Sequence, residues 1–265
     1  MSTRRWRHLL AIAVVLFVGL AVAIVPLVTR DAATTGPTVP TTPTPTESPP
    51  VAERFPVAAS TGWRHTGVSL KASGSVTVTE SGAVLDSLDI KGNLEIKADN
   101  VTVRRSRITA GNFYPIRVYP GFTGLQVIDS EVVGVNSVGN HCSVAVSGSG
   151  VTLTRVDIHD CEDGFHPGSN STIQDSFIHD LWLGTDATGA RVLDTHNDGI
   201  QVLSGSHVVI RHNRIEIGHN ENATVFVKAD FGDISDVVID GNYLDGGSYT
   251  IFGGDTASHH VTNVS

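Results

Sequence analysis

The chain has 265 residues, with 18 Lys and Arg against 27 Asp and Glu and a formal net charge of −9. After residue 110 the imbalance is stronger, with 6 basic residues against 19 acidic ones. Because a phosphate backbone needs a basic surface, this charge argues against a nucleic-acid partner, and a polyanionic glycan would also be repelled unless a cation bridged it.

The first 30 residues have the composition of an export signal. Three arginines within residues 4–7 precede an uncharged apolar run at residues 9–28, which is long enough to cross a bilayer as a helix. The arginines predict that the N-terminus lies in the cytoplasm and the rest of the chain outside the cytoplasmic membrane. The segment Ala21-Val22-Ala23 would suit signal peptidase, so the alternative is a cleaved signal peptide and a secreted protein. We favour an anchor because the apolar run continues beyond that segment.

Residues 31–55 are rich in Thr and Pro. They contain too few apolar side chains to build a core, so we predict a disordered, extended linker. The remaining residues, 56–265, are numerous enough for one domain with a continuous core.

A short pattern recurs along residues 100–265: two apolar residues separated by one, a small polar residue three positions later, and an apolar residue two positions after that. Clear copies occupy residues 101–108 and 208–215, and successive copies are 20 to 37 residues apart. Alternating strand-forming residues at such a period predict short parallel strands in stacked coils, since one coil cannot bury its own apolar face. The predicted fold is therefore all-β, a parallel β-helix.

Aligning the copies predicts which side chains face inward. One inward column consists of Ile116, Val144, Phe165, Ile200, Val225 and Ile251, and a second consists of Ile108, Val132, Ile158, Ile178, Ile215 and Leu244. Flanking residues should face outward, and we expect Arg107, Glu131 and Asp157 to form a ladder of surface charge pairs. His159 and His179 belong to a second outward ladder, for which the alternatives are a metal site and solvated side chains; we favour solvated side chains because no compact ligand spacing supports a metal. The small polar position, exemplified by Ser106, should bond the backbone at a corner of each coil.

The two cysteines, Cys142 and Cys161, are 19 residues apart, which is close to one coil. Stacking would bring them together, and an exported protein can hold a disulfide. The alternative is two small buried core residues. We favour the disulfide.

Two Asp-Gly segments, residues 162–166 and 197–201, occupy the same place on consecutive coils. The alignment puts Asp163 over Asp198. Stacked carboxylates stay together if one is protonated, if a cation binds them, or if both stay solvated. The corresponding hypotheses are acid–base chemistry, a calcium site on Asp163 and Asp198, and a plain turn.

Other side chains with functional chemistry surround this pair in the alignment. The candidate catalytic residues are Asp163, Asp198, His166, His196 and Lys228, and the candidate substrate-binding residues are Gln201, Phe226, Trp182 and Glu221. Trp182 lies in an insertion near residues 181–192, which we expect to form a loop at the edge of the site. The rings of Phe226 and Trp182 would stack on sugar rings.

These features resemble the pectate-lyase-like superfamily of right-handed parallel β-helices, in exported repeat proteins of actinobacterial type, over residues 65–265. Asn197-Asp198-Gly199-Ile200 is similar to the Asn-Thr-Asp-Gly segment of polygalacturonase-type hydrolases, whose aspartate is catalytic. The lyases of this fold imply calcium on Asp163 and Asp198, with Lys228 as the base. The resemblance therefore implies an exported enzyme acting on a polysaccharide, as a glycoside hydrolase or a polysaccharide lyase. The alternative is a non-catalytic glycan-binding or adhesion module at the cell surface.

The C-terminal residues 260–265 resemble the start of a further copy. We therefore expect the domain 56–265 to be incomplete at this end, with exposed apolar side chains that further coils or a partner would cover. The sequence gives no indication of the oligomeric state.

Overall fold

The structure is a computed structural model that describes residues 54–137, 139–219 and 221–265. The predicted apolar helix at residues 9–28 and nearly all of the predicted linker lie outside these residues. In the part of the chain that is described, no helix is long and apolar enough to cross a membrane. A 3-10 turn at Arg64–Thr66 precedes 24 short strands in the same part of the chain.

The strands form three parallel sheets of eight, and successive strands of the chain join the three sheets in turn. Sheet A consists of β1 (Lys71–Ser73), β4 (Leu88–Lys91), β7 (Arg107–Ala110), β10 (Glu131–Gly134), β13 (Asp157–His159), β16 (Phe177–Ile178), β19 (Arg214–Glu216) and β22 (Tyr243–Asp245). Sheet B consists of β2 (Val76–Val78), β5 (Leu94–Ile96), β8 (Ile116–Val118), β11 (Val144–Gly148), β14 (Asp163–Pro167), β17 (Asp198–Val202), β20 (Ala223–Lys228) and β23 (Tyr249–Gly254). Sheet C consists of β3 (Val84–Asp86), β6 (Thr102–Arg104), β9 (Leu125–Ile128), β12 (Val151–Thr154), β15 (Ser171–Gln174), β18 (Gly205–Arg211), β21 (Ile234–Asp240) and β24 (Val261–Val264). Three consecutive strands make one coil, eight coils stack, and the predicted all-β solenoid of parallel strands is confirmed.

The small polar residues lie at the corner between sheet C and sheet A. The residue before each has a positive φ, for example 49° at Arg105, which turns the chain sharply. Ser106 Oγ donates to the carbonyl of Arg104 at 2.8 Å and accepts from the backbone N–H of Leu88 at 3.1 Å. The N–H of Ser106 in turn donates to Ser130 Oγ on the next coil. This is the backbone-bonding role that the sequence predicted.

The second inward column is confirmed, because each of its residues pairs with the next across sheet A. The first column is right except at Val144. Val146 pairs with Ile116 and with Phe165, whereas Val144 pairs with Asp163. Val144 and Val146 are both apolar and two residues apart, so alternation alone does not separate them.

Residues 54–67, here called the N-terminal strap, run along the outside of the coils. The Phe55 ring lies 5.8 Å from the ring of Tyr243 in the last coil. Farther along the strap, Gly62 donates its N–H to the carbonyl of Arg155 at 3.0 Å. Trp63 Nε1 then donates to Glu131 Oε2 at 2.7 Å, so the strap runs from the last coils back towards the middle of the stack.

The strap corrects the expected surface ladders. Glu131 and Asp157 are only 2% and 3% exposed. His159 Nε2 lies 3.2 Å from Glu131 Oε1, and His179 Nε2 lies 2.9 Å from Asp157 Oδ1. The prediction that Glu131 and Asp157 lie in a ladder of surface charge pairs was wrong, because the strap lies outside the repeat and an alignment of the repeats does not show what it covers.

The predicted disulfide between Cys142 and Cys161 is confirmed, with a Cα–Cα distance of 4.8 Å. Both residues are fully buried. At the C-terminal end of the stack, Ile251 and Val264 are exposed.

Candidate functional site

The candidate site lies on the outer face of sheet B, on β14 and β17. Phe165 pairs in register with Ile200. Asp163 therefore aligns with Asp198, two residues earlier on each strand, as the sequence alignment predicted. His166 and Gln201, which directly follow Phe165 and Ile200, also align with each other.

A glycine after each aspartate makes this arrangement sterically feasible. A Cβ on Gly164 would lie 2.4 Å from the carbonyl oxygen of Gly199, and a Cβ on Gly199 would lie 2.4 Å from Ile215 Cγ2. Both glycines therefore face the core. The apolar residue that follows each glycine, Phe165 or Ile200, also faces the core. Two consecutive inward positions break the strand alternation, so that Asp163 and Asp198 face outward.

Asp198 lies at the centre of a network of donors and has no exposed surface. Its Oδ1 accepts from Asn222 Nδ2 at 2.7 Å and from the N–H of Ala223 at 3.0 Å. Its Oδ2 accepts from Gln201 Nε2 at 2.9 Å. His196 Nδ1 lies 3.4 Å from the same oxygen, and the His196 side chain is 62% exposed. His196 therefore stands between the buried carboxyl group and solvent.

Asp163 forms a second pair with a histidine. Its Oδ2 lies 2.9 Å from His166 Nε2, and its Oδ1 accepts from the N–H of Asp198 at 2.7 Å. The two aspartates thus belong to one network, and each has a histidine on its outer side.

Burial of the carboxyl group, followed by the charge of Asp163, raises the pKa of Asp198 to about 8. The hydrogen bonds from Asn222, Ala223 and Gln201 oppose this rise without cancelling it. Asp198 therefore holds a proton at neutral pH. Burial also raises the pKa of Glu221, a nearly buried residue on the next coil.

Asn222 was not among the predicted site residues, although it donates the shortest hydrogen bond to the Asp198 side chain. Ala223 pairs in register with Asp198. Asn222 therefore aligns with Asn197 of the preceding coil, since each comes directly before the paired residue. This recurrence of Asn before the aligned position was the available sequence signal.

Phe226 lies within the site, but its ring is largely covered. It pairs in register with Gln201, next to the acid–base network. One face stacks on Phe252, with ring centres 4.9 Å apart and planes inclined by 10°. The His196 ring lies nearly perpendicular to it, with ring centres 5.9 Å apart and planes inclined by 84°. Phe226 is only 6% exposed, so it supports His196 more than it presents a face to a sugar.

Trp182 belongs to the loop between β16 and β17, where the sequence predicted an insertion. Its Nε1 donates to the carbonyl of Thr185 at 2.8 Å, and its ring lies 5.2 Å from the ring of His141. Asn197 Nδ2 donates to the carbonyls of Trp182 and Glu162 at 2.7 and 2.8 Å. Asn197 thereby joins the loop to the coil corner beside Asp163.

Lys228 is not brought to the aspartates. It lies five residues beyond Ala223 on β20, roughly 16 Å along the strand from the position of Asp198. Its Nζ is 3.0 Å from Asp230 Oδ1, an ion pair of its own.

The groups that surround Asp163 and Asp198 do not fit the calcium site that the sequence suggested. Calcium takes six to eight oxygen ligands. The oxygens of Asp163 and Asp198 instead face N–H groups or histidine nitrogens. Among the described residues, no group of three or more His, Cys, Asp or Glu side chains is arranged to hold a metal ion.

The network can therefore exchange protons, with a neutral carboxyl group in Asp198 and a partly exposed His166 beside Asp163. No family model, curated protein or solved structure matches the chain.

Proposed function

We propose that the protein is an exported polysaccharide-cleaving enzyme that hydrolyses a glycosidic bond at the two Asp–His pairs. The observation that carries this proposal is the fully buried carboxyl group of Asp198, which lies 3.4 Å from the exposed His196. This burial raises the pKa of Asp198 to about 8. A binding module needs no such carboxyl group, whereas a general acid must hold its proton at the working pH.

In the proposed reaction, Asp198 is the proton reservoir and His196 delivers the proton to the glycosidic oxygen. That oxygen keeps the electron pair of the breaking C1–O bond and leaves as a hydroxyl group. A water molecule adds to C1, and its proton passes to the pair formed by Asp163 and His166. Exchange with solvent returns the proton to Asp198, so that one water is consumed for each bond cleaved.

Hydrolysis is favoured over elimination by the position of Lys228. The lyase hypothesis uses Lys228 as the base and calcium on the aspartates. Lys228 is paired with Asp230 and lies at the other end of β20, and the aspartate oxygens face nitrogen groups. Membership of the pectate-lyase-like superfamily is part of the same proposal, supported by the three-sheet solenoid and by Asn197-Asp198-Gly199-Ile200.

An extracytoplasmic location is proposed on two grounds. The Cys142–Cys161 disulfide is typical of proteins that fold in oxidising compartments. The arginines and apolar run of residues 4–28 favour a tether in the cytoplasmic membrane. The polysaccharide would then belong to the cell surface or its surroundings.

The test is to incubate the protein with a panel of polysaccharides and to measure new reducing ends and ultraviolet absorption by unsaturated products. We expect reducing ends without that absorption, and the same rate with a calcium chelator. Asp198→Asn should lower the rate about 10²- to 10⁴-fold. Asp245→Asn, an exposed substitution on sheet A, is the matched control and should retain the rate.

The Asp198→Asn variant should keep its fold, because Gln201 can rotate its own amide to accept a hydrogen bond from the new NH₂ group. If unsaturated products appear, the reaction is an elimination and the proposed hydrolysis is wrong. Full activity in Asp198→Asn, or the absence of any cleavage by the wild-type protein, would contradict the proposed mechanism.

A further inference from the structure

A second polar and aromatic cluster lies on the same outer face as the candidate site, nearer the N-terminal end of the stack. Its central residue, Arg117, is the exposed middle residue of β8. Arg117 pairs in register with Ser147, which pairs with His166. Arg117 and His166 thus occupy the same outward position two coils apart, roughly 10 Å along the stack.

Two tyrosine rings hold the Arg117 guanidinium group. Its Cζ lies 5.0 Å from the ring centre of Tyr114 and 4.8 Å from that of Tyr119. The neighbouring carboxylate, Glu95, is already engaged, because it lies 2.8 Å from Lys97 Nζ and accepts from Tyr119 Oη at 3.0 Å.

Arg117 differs in this respect from the arginines around it. Of the ten arginines in residues 54–137, 139–219 and 221–265, eight lie within ion-pair distance of a carboxylate, and the exceptions are Arg117 and Arg54 of the N-terminal strap. Arg117 has no such partner among the described residues, so its donors are available to a ligand.

The surface around Arg117 is concave. Two grooves of about 250 and 380 Å³ adjoin it, and Tyr114, Arg117 and Tyr119 line both. Tyrosine faces suit the C–H faces of sugars, and a guanidinium group matches two oxygens of a carboxylate or sulfate. The grooves thus combine the two kinds of contact that an acidic sugar unit needs.

We propose that Tyr114, Arg117 and Tyr119 form a subsite for an anionic substituent, a carboxylate or a sulfate ester, on one sugar unit of the polysaccharide. The inference rests on the proposed function, from which it takes the polysaccharide. Arg117 supplies local attraction in a domain whose net charge repels anions, so the subsite selects for a charge placed at one position. A monosaccharide cannot reach both Arg117 and His166, so the subsite also fixes which bond of a longer chain lies at the acid–base groups.

The test measures binding by titration calorimetry in the Asp198→Asn background, in which turnover is slow enough for the probes to stay intact during a titration. The probes are hexamers of a uronic acid, a sulfated hexasaccharide and cellohexaose as the neutral chain. Adding Arg117→Ala should weaken binding of a charged probe about ten- to a hundred-fold and leave cellohexaose unchanged. The control is Arg211→Ala, which removes another exposed arginine, on sheet C.

The charged probe whose affinity depends on Arg117 identifies the substituent. Unchanged affinity for both charged probes in Arg117→Ala, or an equal loss for cellohexaose, would overturn the subsite. Thermal unfolding of Arg117→Ala should match that of the wild type, since the side chain is exposed and has no ion pair to lose among the residues described. If the wild-type protein cleaves nothing while the charged probe still depends on Arg117, the subsite stands and the proposed hydrolysis fails. If the wild-type protein cleaves a polysaccharide but the affinity for neither charged probe depends on Arg117, the proposed hydrolysis stands and the subsite fails.

Discussion

The backbone N–H of Asp198 donates a 2.7 Å hydrogen bond to the carboxylate of Asp163 on the preceding coil. This contact links the backbone position of Asp198 to the side-chain position of Asp163, so a shift of either aspartate moves the other. The spacing between two stacked coils thereby sets the geometry of the acid–base network. Changes in coil packing beneath the site should consequently alter activity even where no polar residue is touched.

The pH dependence of cleavage should follow the protonation of Asp198. Because its pKa is raised to about 8, the proton donor is present below that pH and is lost as the pH rises through it. The rate should fall on the alkaline side near pH 8. The residual activity of Asp198→Asn, measured over the same range, should lack that alkaline limb. A limb that persists unchanged in the variant would assign the titration to another group.

The same group affects stability with a defined sign. A carboxyl group whose pKa is higher in the folded than in the unfolded protein stabilises the fold at low pH. This contribution is complete below about pH 4 and is lost as the pH rises through about 8. Denaturant titrations of the wild type and Asp198→Asn should therefore diverge across that interval, with the wild type losing more free energy of unfolding as the pH rises. Parallel curves would contradict the raised pKa.

Gly199→Ala should disturb both packing and activity. The added Cβ would lie 2.4 Å from Ile215 Cγ2 and 2.5 Å from the carbonyl oxygen of Thr224. Overpacking of this kind costs about 1–3 kcal/mol of unfolding free energy, and the shift it forces moves Asp198 as well. Gly253→Ala is the control, since a Cβ there meets nothing within 4 Å. Chemical denaturation and the cleavage rate measure the two effects, and equal behaviour of the two variants would refute the steric argument.

Glu131→Gln should loosen the N-terminal strap. Burial favours the neutral acid, but hydrogen bonds from His159, Arg64 and Trp63 outweigh it and lower the pKa of Glu131 to about 2. We expect the variant to lose about 3 kcal/mol of unfolding free energy at neutral pH. Glu80→Gln, an exposed control, should change stability by less than about 0.5 kcal/mol.

The pH range follows from the sign of the shift. A carboxylate with a lowered pKa contributes stability above its ordinary value of 4.5, and this is lost as the pH falls through about 2. The variant should therefore show a smaller loss of stability on acidification than the wild type. An equal loss of unfolding free energy on acidification in the variant and the wild type would mean that Glu131 does not hold the strap.

Reduction of the Cys142–Cys161 disulfide should destabilise the protein without unfolding the other coils at room temperature. A bridge across 19 residues contributes about 3 kcal/mol by restricting the unfolded chain. Denaturant titrations with and without dithiothreitol measure the difference. The Cys142→Ala/Cys161→Ala double variant is the control, because its curve should not respond to the reductant.

The sequence predicts the stacking where one apolar residue dominates each copy, as Ile108, Ile158 and Ile215 do. It fails at Val144, where Val146 is an equally apolar candidate and the alternation breaks at a small inward residue, Ala145. The aligned Asp-Gly segments placed Asp163 and Asp198 together because glycine and aspartate recur in step. Repetition of type and spacing was the information that alignment used.

The parts of the site that could not be predicted depend on contacts outside the repeat. The guanidinium of Arg117 lies between two tyrosines that flank β8 on either side and do not recur in the repeat. Trp182 lies in a loop, and its ring packs on His141 of a different loop. The alignment predicts Lys228 near the aspartates because it identifies the neighbouring coil and does not account for the distance along the strand.

The N-terminal strap has a consequence for how the molecule folds. In an ordinary solenoid each coil touches only its neighbours, so coils can form and fray one after another. Here Trp63 bonds Glu131, 68 residues away, and the carbonyl of Arg54 lies 3.1 Å from His212, 158 residues away. Closing such large loops is slow, and it couples the last coils to the first residues of the domain. The end coils should therefore open together with the strap in hydrogen exchange, as one cooperative unit.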